Sequence, residues 1–78
     1  MQLDVIVLTT DKFIFKGKAK SLILPGEEGV FEVLPFHKHI LSRLITGVLF
    51  IDDKQLPIKR GVAQIYQNKA TIVVEEPT

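Results

Sequence analysis

The sequence has no cysteine, so neither disulfides nor a thiolate metal site can support the fold, and nucleophilic thiol chemistry is excluded. Alanine is scarce: three residues against nine isoleucines and eight valines. That ratio favours a pleated sheet, where β-branched side chains pack well, over helices. No excess of one charge exists either. Ten Lys plus Arg stand against nine Asp plus Glu, for a net charge of +1, and the signs are interspersed. A protein built to track nucleic-acid phosphates would carry a basic stripe. No apolar run approaches the ~20 residues of a membrane span. The opening Met1-Gln2-Leu3-Asp4 lacks the basic and apolar segments of a signal peptide.

What is present is apolar. Hydrophobic residues make up 46% of the 78 positions, too many for a disordered chain. The length admits one small domain, which hides only roughly 60–65% of its unfolded surface. The expectation is a soluble intracellular β domain whose thin core a partner surface could supplement.

Short apolar or alternating runs recur at Leu3–Leu8, Phe13–Lys16, Ala19–Leu24, Val30–Leu34, Ile40–Ile45, Val48–Ile51, Gln55–Lys59, Val62–Tyr66 and Ala70–Glu75. Turn-forming residues separate them, among them Pro25-Gly26, Thr46-Gly47, Asp52-Asp53 and Gln67-Asn68. Such spacing predicts an all-β sandwich or barrel of about nine or ten strands. His37–Leu44 has helical spacing at Ile40, Leu41 and Leu44, yet two turns are marginal for a helix, and the segment is assigned to a strand. Leu3–Leu8 is apolar on both faces after Asp4 and is expected to be covered on both sides. Not every such face can be covered within so short a chain, which leaves apolar surface for another protein.

Chemistry-bearing constellations are few. His37 and His39 would share one face of a strand and could bind one metal ion with Glu32 or Asp52, but two ligands are an unspecific signal. The carboxylates sit mostly in turns, and Ser21 and Ser42 lack a glycine-flanked elbow. Lys12 beside Asp11 has the neighbours of a carrier-domain lysine but lies too near the start of the chain. The Gly26-Glu27-Glu28-Gly29 loop is acidic where a phosphate cradle would not be. It reads equally as a plain turn, with positive φ at Gly29, and as a loop offering carboxylates to a partner. No enzyme, metal or cofactor is indicated.

One stretch is more specific. Leu24-Pro25-Gly26-Glu27-Glu28-Gly29-Val30-Phe31-Glu32-Val33-Leu34-Pro35-Phe36-His37 resembles the amino-terminal domain of the epsilon subunit of F-type ATP synthases, with its L-P-G-E-E-G-E-F-G-I-L-P-G-H pattern. The opening strand, the Thr10-Asp11-Lys12 turn, Ile40 to Leu49, and Arg60-Gly61-Val62 with Asn68-Lys69-Ala70-Thr71-Ile72 extend the likeness over nearly the whole chain. The resemblance implies a flattened sandwich of two antiparallel sheets. It also implies a non-catalytic rotor subunit that binds the gamma subunit and rests on the polar loops of the c-ring. Such a subunit lies peripherally on the cytoplasmic face of a bacterial inner membrane, or on the equivalent organellar face, with no lipid anchor of its own. By position, Glu27, Glu28, Val30 and Glu32 would face the ring, and Phe36, His37, His39, Ile40, Leu41 and Arg43 would face gamma.

Departures from the pattern fall in those loops: Val30 for an acidic residue, Glu32 and Phe36 for glycines, and Lys38-His39 for Ala-Pro. Phe36 is either an interface anchor or a cap on one end of the sandwich. The family's C-terminal helical hairpin has no counterpart in this sequence, so helix-mediated restraint of ATP hydrolysis is not expected of it. The rival function is a barrel that binds single-stranded nucleic acid or oligosaccharide. Five Phe and eight Lys would supply its stacking platforms and basic groove.

Overall fold

The computed structural model describes residues 1–78 and contains no helix. Nine strands follow one another: β1 Leu3–Leu8, β2 Phe13–Ala19, β3 Leu22–Gly26, β4 Gly29–Val33, β5 Ile40–Leu44, β6 Gly47–Ile51, β7 Lys54–Ile58, β8 Arg60–Tyr66 and β9 Lys69–Glu75. The all-β expectation and the strand count both hold.

Hydrogen bonding links the strands in the order β2-β1-β9-β8-β5-β3-β6-β7, with β4 added to β3. At β5 to β3 this path narrows to a single register pair, Gly26 opposite Leu44. The continuous sheet therefore folds there into two halves, β2-β1-β9-β8-β5 and β4-β3-β6-β7, which share one core. That core takes Leu3, Val5 and Val7 from β1, Ile65 from β8 and Ile72 from β9, against Leu22, Leu24, Leu49 and Ile58 from the other half. Overall dimensions of 35 × 26 × 21 Å fit a flattened sandwich. One pairing departs from the antiparallel expectation: β1 runs parallel to β9. The first and last strands meet in mid-sheet, so no hairpin constrains their direction.

Local chemistry explains the boundaries. The Ala19–Leu24 run, expected as one strand, is divided between β2 and β3. The side chain of Asp52, at the β6–β7 turn, accepts the backbone N–H groups of Lys20 and Ser21 at 2.9 and 3.0 Å, which takes both out of any ladder. Gly17 lies within β2, which runs past the Phe13–Lys16 run, and an added Cβ there would sit 3.2 Å from the Phe15 ring. Pro25-Gly26, expected as a turn, ends β3; the turn is Glu27-Glu28, and Gly29 follows at φ 126°. Outer-face Ile6 and Leu8 of β1 are only half-buried. No second layer covers that strand, contrary to expectation.

The two flanks of the sandwich differ. At the β2/β7 flank, the Asp52 bonds and Lys54, whose ammonium lies 5.4 Å from the Phe15 ring centroid, tie the halves together. At the opposite flank, between β4 and β5, the halves join only at the Gly26–Leu44 end.

Candidate functional site

That open flank forms a cleft of about 610 Å³. The β3–β4 hairpin supplies one wall, with Glu27, Glu28, Val30 and Glu32; the other comprises His37 and Lys38 with Ile40, Leu41 and Arg43 of β5. Eight of the ten residues singled out in the sequence therefore line one concavity, although they were assigned to two separate surfaces. The hairpin fixes this arrangement. Gly26 pairs with Gly29 across the two-residue Glu27-Glu28 turn, and the Glu27 N–H donates to the Arg43 carbonyl at 2.9 Å. The acidic tip is thereby anchored to β5.

Side-chain directions follow strand alternation. Val30 and Glu32 share the exposed outer face of β4, as their spacing required, and Val30 is 73% exposed. On β5, Leu41 and Arg43 point outward and are exposed, with Leu41 at 71%. Ile40 instead packs on the core beside Phe31. It can shape the inner wall but offers little surface to a partner.

Phe36 and His39 lie outside the cleft lining. His39 meets the Tyr66 ring edge-on, with centroids 5.3 Å apart. Phe36 is 64% exposed and is not packed on the core. It does not cap the sandwich. It also adopts φ 62°, a left-handed conformation that costs a non-glycine residue ~1–2 kcal/mol. Glycine occupies this position in the resembled pattern, and the backbone has kept the glycine conformation under a large side chain.

The histidines do not converge on a metal site. The His37 ring nitrogen Nδ1 lies 2.9 Å from the Lys38 carbonyl, His39 faces Tyr66, and the Asp52 carboxylate is engaged by backbone amides. No group of three or more His, Asp or Glu side chains is placed to hold an ion.

Electrostatically the cleft is two-signed and unpaired. The molecule's ion pairs are Lys12–Glu76, Lys18–Asp4 and Arg60–Glu75, all away from it. Away from the cleft, a hydrogen bond and the positive charge of Lys18 hold the Asp4 carboxyl below the ordinary value of 3.8.

Residues 2–77 match the family model of the ATP synthase delta/epsilon chain β-sandwich domain. The chain belongs to this family. Among similar curated proteins, the ATP synthase epsilon chain of a Nitratiruptor species is 38% identical over 78 residues, covering 94% of this chain and 60% of the relative. The epsilon chain of Leptospira interrogans (strain Fiocruz L1-130) is 35% identical, covering 95% and 61%. The chain thus spans about 60% of the length of these relatives.

Two solved structures share the family fold. A chain of the Euglena gracilis mitochondrial ATP synthase OSCP/F1/c-ring structure matches with a TM-score of 0.85 at 23% identity, covering 96% of this chain and 51% of its own. One from the Tetrahymena thermophila mitochondrial ATP synthase central stalk/c-ring structure gives 0.79 at 14%, covering 97% and 65%.

Sequence reading missed Asn68 and Tyr66. Asn68 stood out as a turn residue and as part of the family likeness, with no role at the site, yet its side chain accepts the Phe36 N–H at 2.9 Å and donates to the Gln2 carbonyl at 2.8 Å. The available signal was Gln67-Asn68 between two alternating runs: both residues have positive φ, as a tight two-residue hairpin turn requires.

Proposed function

We propose that this chain is the β-sandwich portion of an ATP synthase epsilon subunit, acting without catalysis as part of the central stalk. In this role it binds gamma and rests on the polar loops of the c-ring, so that ion-driven rotation of the ring reaches the catalytic head. It is held at the membrane through the complex, on the cytoplasmic face of a bacterial membrane or the matching organellar face. The observation that carries this reading is the match of residues 2–77 to the family's sandwich domain. The unpaired cleft and the strained, exposed Phe36 agree with it, because exposed apolar surface of this kind suits a docking protein better than a free monomer.

Glu27, Glu28, Val30 and Glu32 on the hairpin are assigned to the ring loops. Phe36, His37, His39, Leu41 and Arg43 are assigned to gamma, with Ile40 supporting them from within. The test is gel filtration of this chain with the gamma-containing catalytic head of the same source. Co-elution at 1:1 is expected, and it should be weakened by Phe36→Asp or Leu41→Asp if these are anchors. Separate elution of the folded wild-type chain would refute the reading.

A further inference from the structure

The sheet has bare edges that differ in how they are guarded. β7 carries Pro57, which lacks an N–H to offer. β2 presents Lys16 and Lys18 and contains a register shift opposite Val7 and Leu8. Proline, lysine and bulges are the usual means of keeping an edge from pairing with another chain. None of these lies within β5, whose one edge is fully paired with β8 from Ile40 to Leu44 while the other meets β3 only at Leu44.

The direction of the free backbone groups follows from two bonds. The Arg43 carbonyl accepts from Glu27, and the Ile45 N–H donates to the Pro25 carbonyl, both at 2.9 Å. Main-chain groups along a strand alternate between its edges, so Leu41 presents its N–H and C=O on the same side as Arg43 and Ile45. No strand lies opposite it there: β4 pairs only with β3, and the 610 Å³ cleft occupies the space.

We propose that β5 accepts an extended segment of a partner polypeptide as an added strand, which enters this cleft and pairs with the main chain of Leu41 and Arg43. Such a segment would carry apolar side chains at alternate positions to meet Ile40 and Phe31. An aspartate or glutamate in it would reach Lys38 or Arg43 on the β5 wall, neither of which has an ion-pair partner in the chain itself, while Glu27, Glu28 and Glu32 stay with the ring loops. Main-chain bonds supply the attachment, and the unpaired Lys38 and Arg43 select for a segment that carries acidic residues. The inference rests on the stalk-subunit reading and specifies how gamma is held.

The experiment compares Leu41→Pro with Leu41→Ala in binding to the gamma-containing catalytic head, depleted of this chain. Both remove the leucine side chain, but only proline removes the edge N–H. Because that N–H does not serve the β5–β8 ladder, the proline variant is expected to keep its fold. It should bind about tenfold more weakly than the alanine variant, the loss of one or two main-chain hydrogen bonds. Equal affinities would overturn strand addition while leaving the stalk role intact.

Amide exchange on the wild-type chain gives a second readout that does not depend on the variant folding. The Leu41 and Arg43 amides should be protected only in the complex; free exchange within a formed complex would overturn the inference. Protection that grows with concentration of the isolated chain would identify a second copy as the occupant, and would overturn it too. Failure of the wild-type chain to bind the head would overturn the stalk reading itself, and this inference with it.

Discussion

The backbone N–H of Phe36 donates to the side-chain oxygen of Asn68 at 2.9 Å, across 32 residues of sequence. The same Asn68 side chain donates to Gln2, so one residue ties the β4–β5 connection to the start of β1. Both Phe36 and Asn68 have φ 62°. An aromatic side chain is thus presented to solvent on a backbone conformation that a glycine would occupy without strain.

Replacing Phe36 with glycine should therefore separate stability from binding. Relief of the left-handed strain is worth ~1–2 kcal/mol, and the added freedom of the unfolded chain takes back ~0.4–1. A net gain of about 0.5–1 kcal/mol is expected in denaturant titration, together with weaker binding to the gamma-containing head. Phe36→Ala keeps the strain and should gain nothing in stability. A glycine variant less stable than wild type would show that Phe36 contributes to the fold.

Asn68→Gly preserves the positive φ at that position and removes both side-chain bonds. A loss of about 1–3 kcal/mol in thermal or chemical unfolding is expected from two hydrogen bonds. Asn68→Ala should lose more, because alanine also resists the left-handed backbone. Identical stabilities for the two variants would rule out the conformational contribution.

Gly26 closes the hairpin that carries the acidic tip. A Cβ there would come within 2.7 Å of both the Gly29 carbonyl and the Phe31 ring. Gly26→Ala should cost about 1–3 kcal/mol through overpacking and should loosen the Glu27–Arg43 backbone bond. Faster amide exchange at Glu27 than in the wild type is the specific readout.

Acid should reveal the Asp4–Lys18 pair. Its carboxyl is held below 3.8 in the folded chain. Stability from this pair is complete above the unfolded value and is lost as pH falls through the lower folded value. Wild type should therefore be slightly more stable than Asp4→Asn at neutral pH, and this margin should close as pH falls below about 4. The effect should be small, because both side chains are more than half exposed and screened by solvent. A wild-type advantage that is absent at neutral pH, or that grows rather than closes on acidification, would contradict this account.

Much of this was legible in the sequence because the alternation is strong. In β8, Ala63 and Ile65 are buried between exposed Arg60, Val62, Gln64 and Tyr66, the period-two pattern seen in the residues themselves. Boundaries were less legible where a distant side chain decides them: nothing local to Lys20 and Ser21 announces that Asp52 will accept their amides. The parallel β1–β9 pairing is likewise a product of chain ends meeting in space. At the site, the resemblance singled out the residues, but the closure of the groups assigned to ring and to gamma around one cleft depends on the Gly26–Leu44 fold line. Sequence proximity alone does not encode that line.

The central claim concerns which surface faces which neighbour. Photo-reactive side chains at Phe36 and at Glu28, each in the reconstituted ATP synthase, test it directly. The account predicts that position 36 cross-links to gamma and position 28 to the c-ring loops, in the same preparation. Exchange of those products, or a chain that incorporates but cross-links to neither, would contradict it.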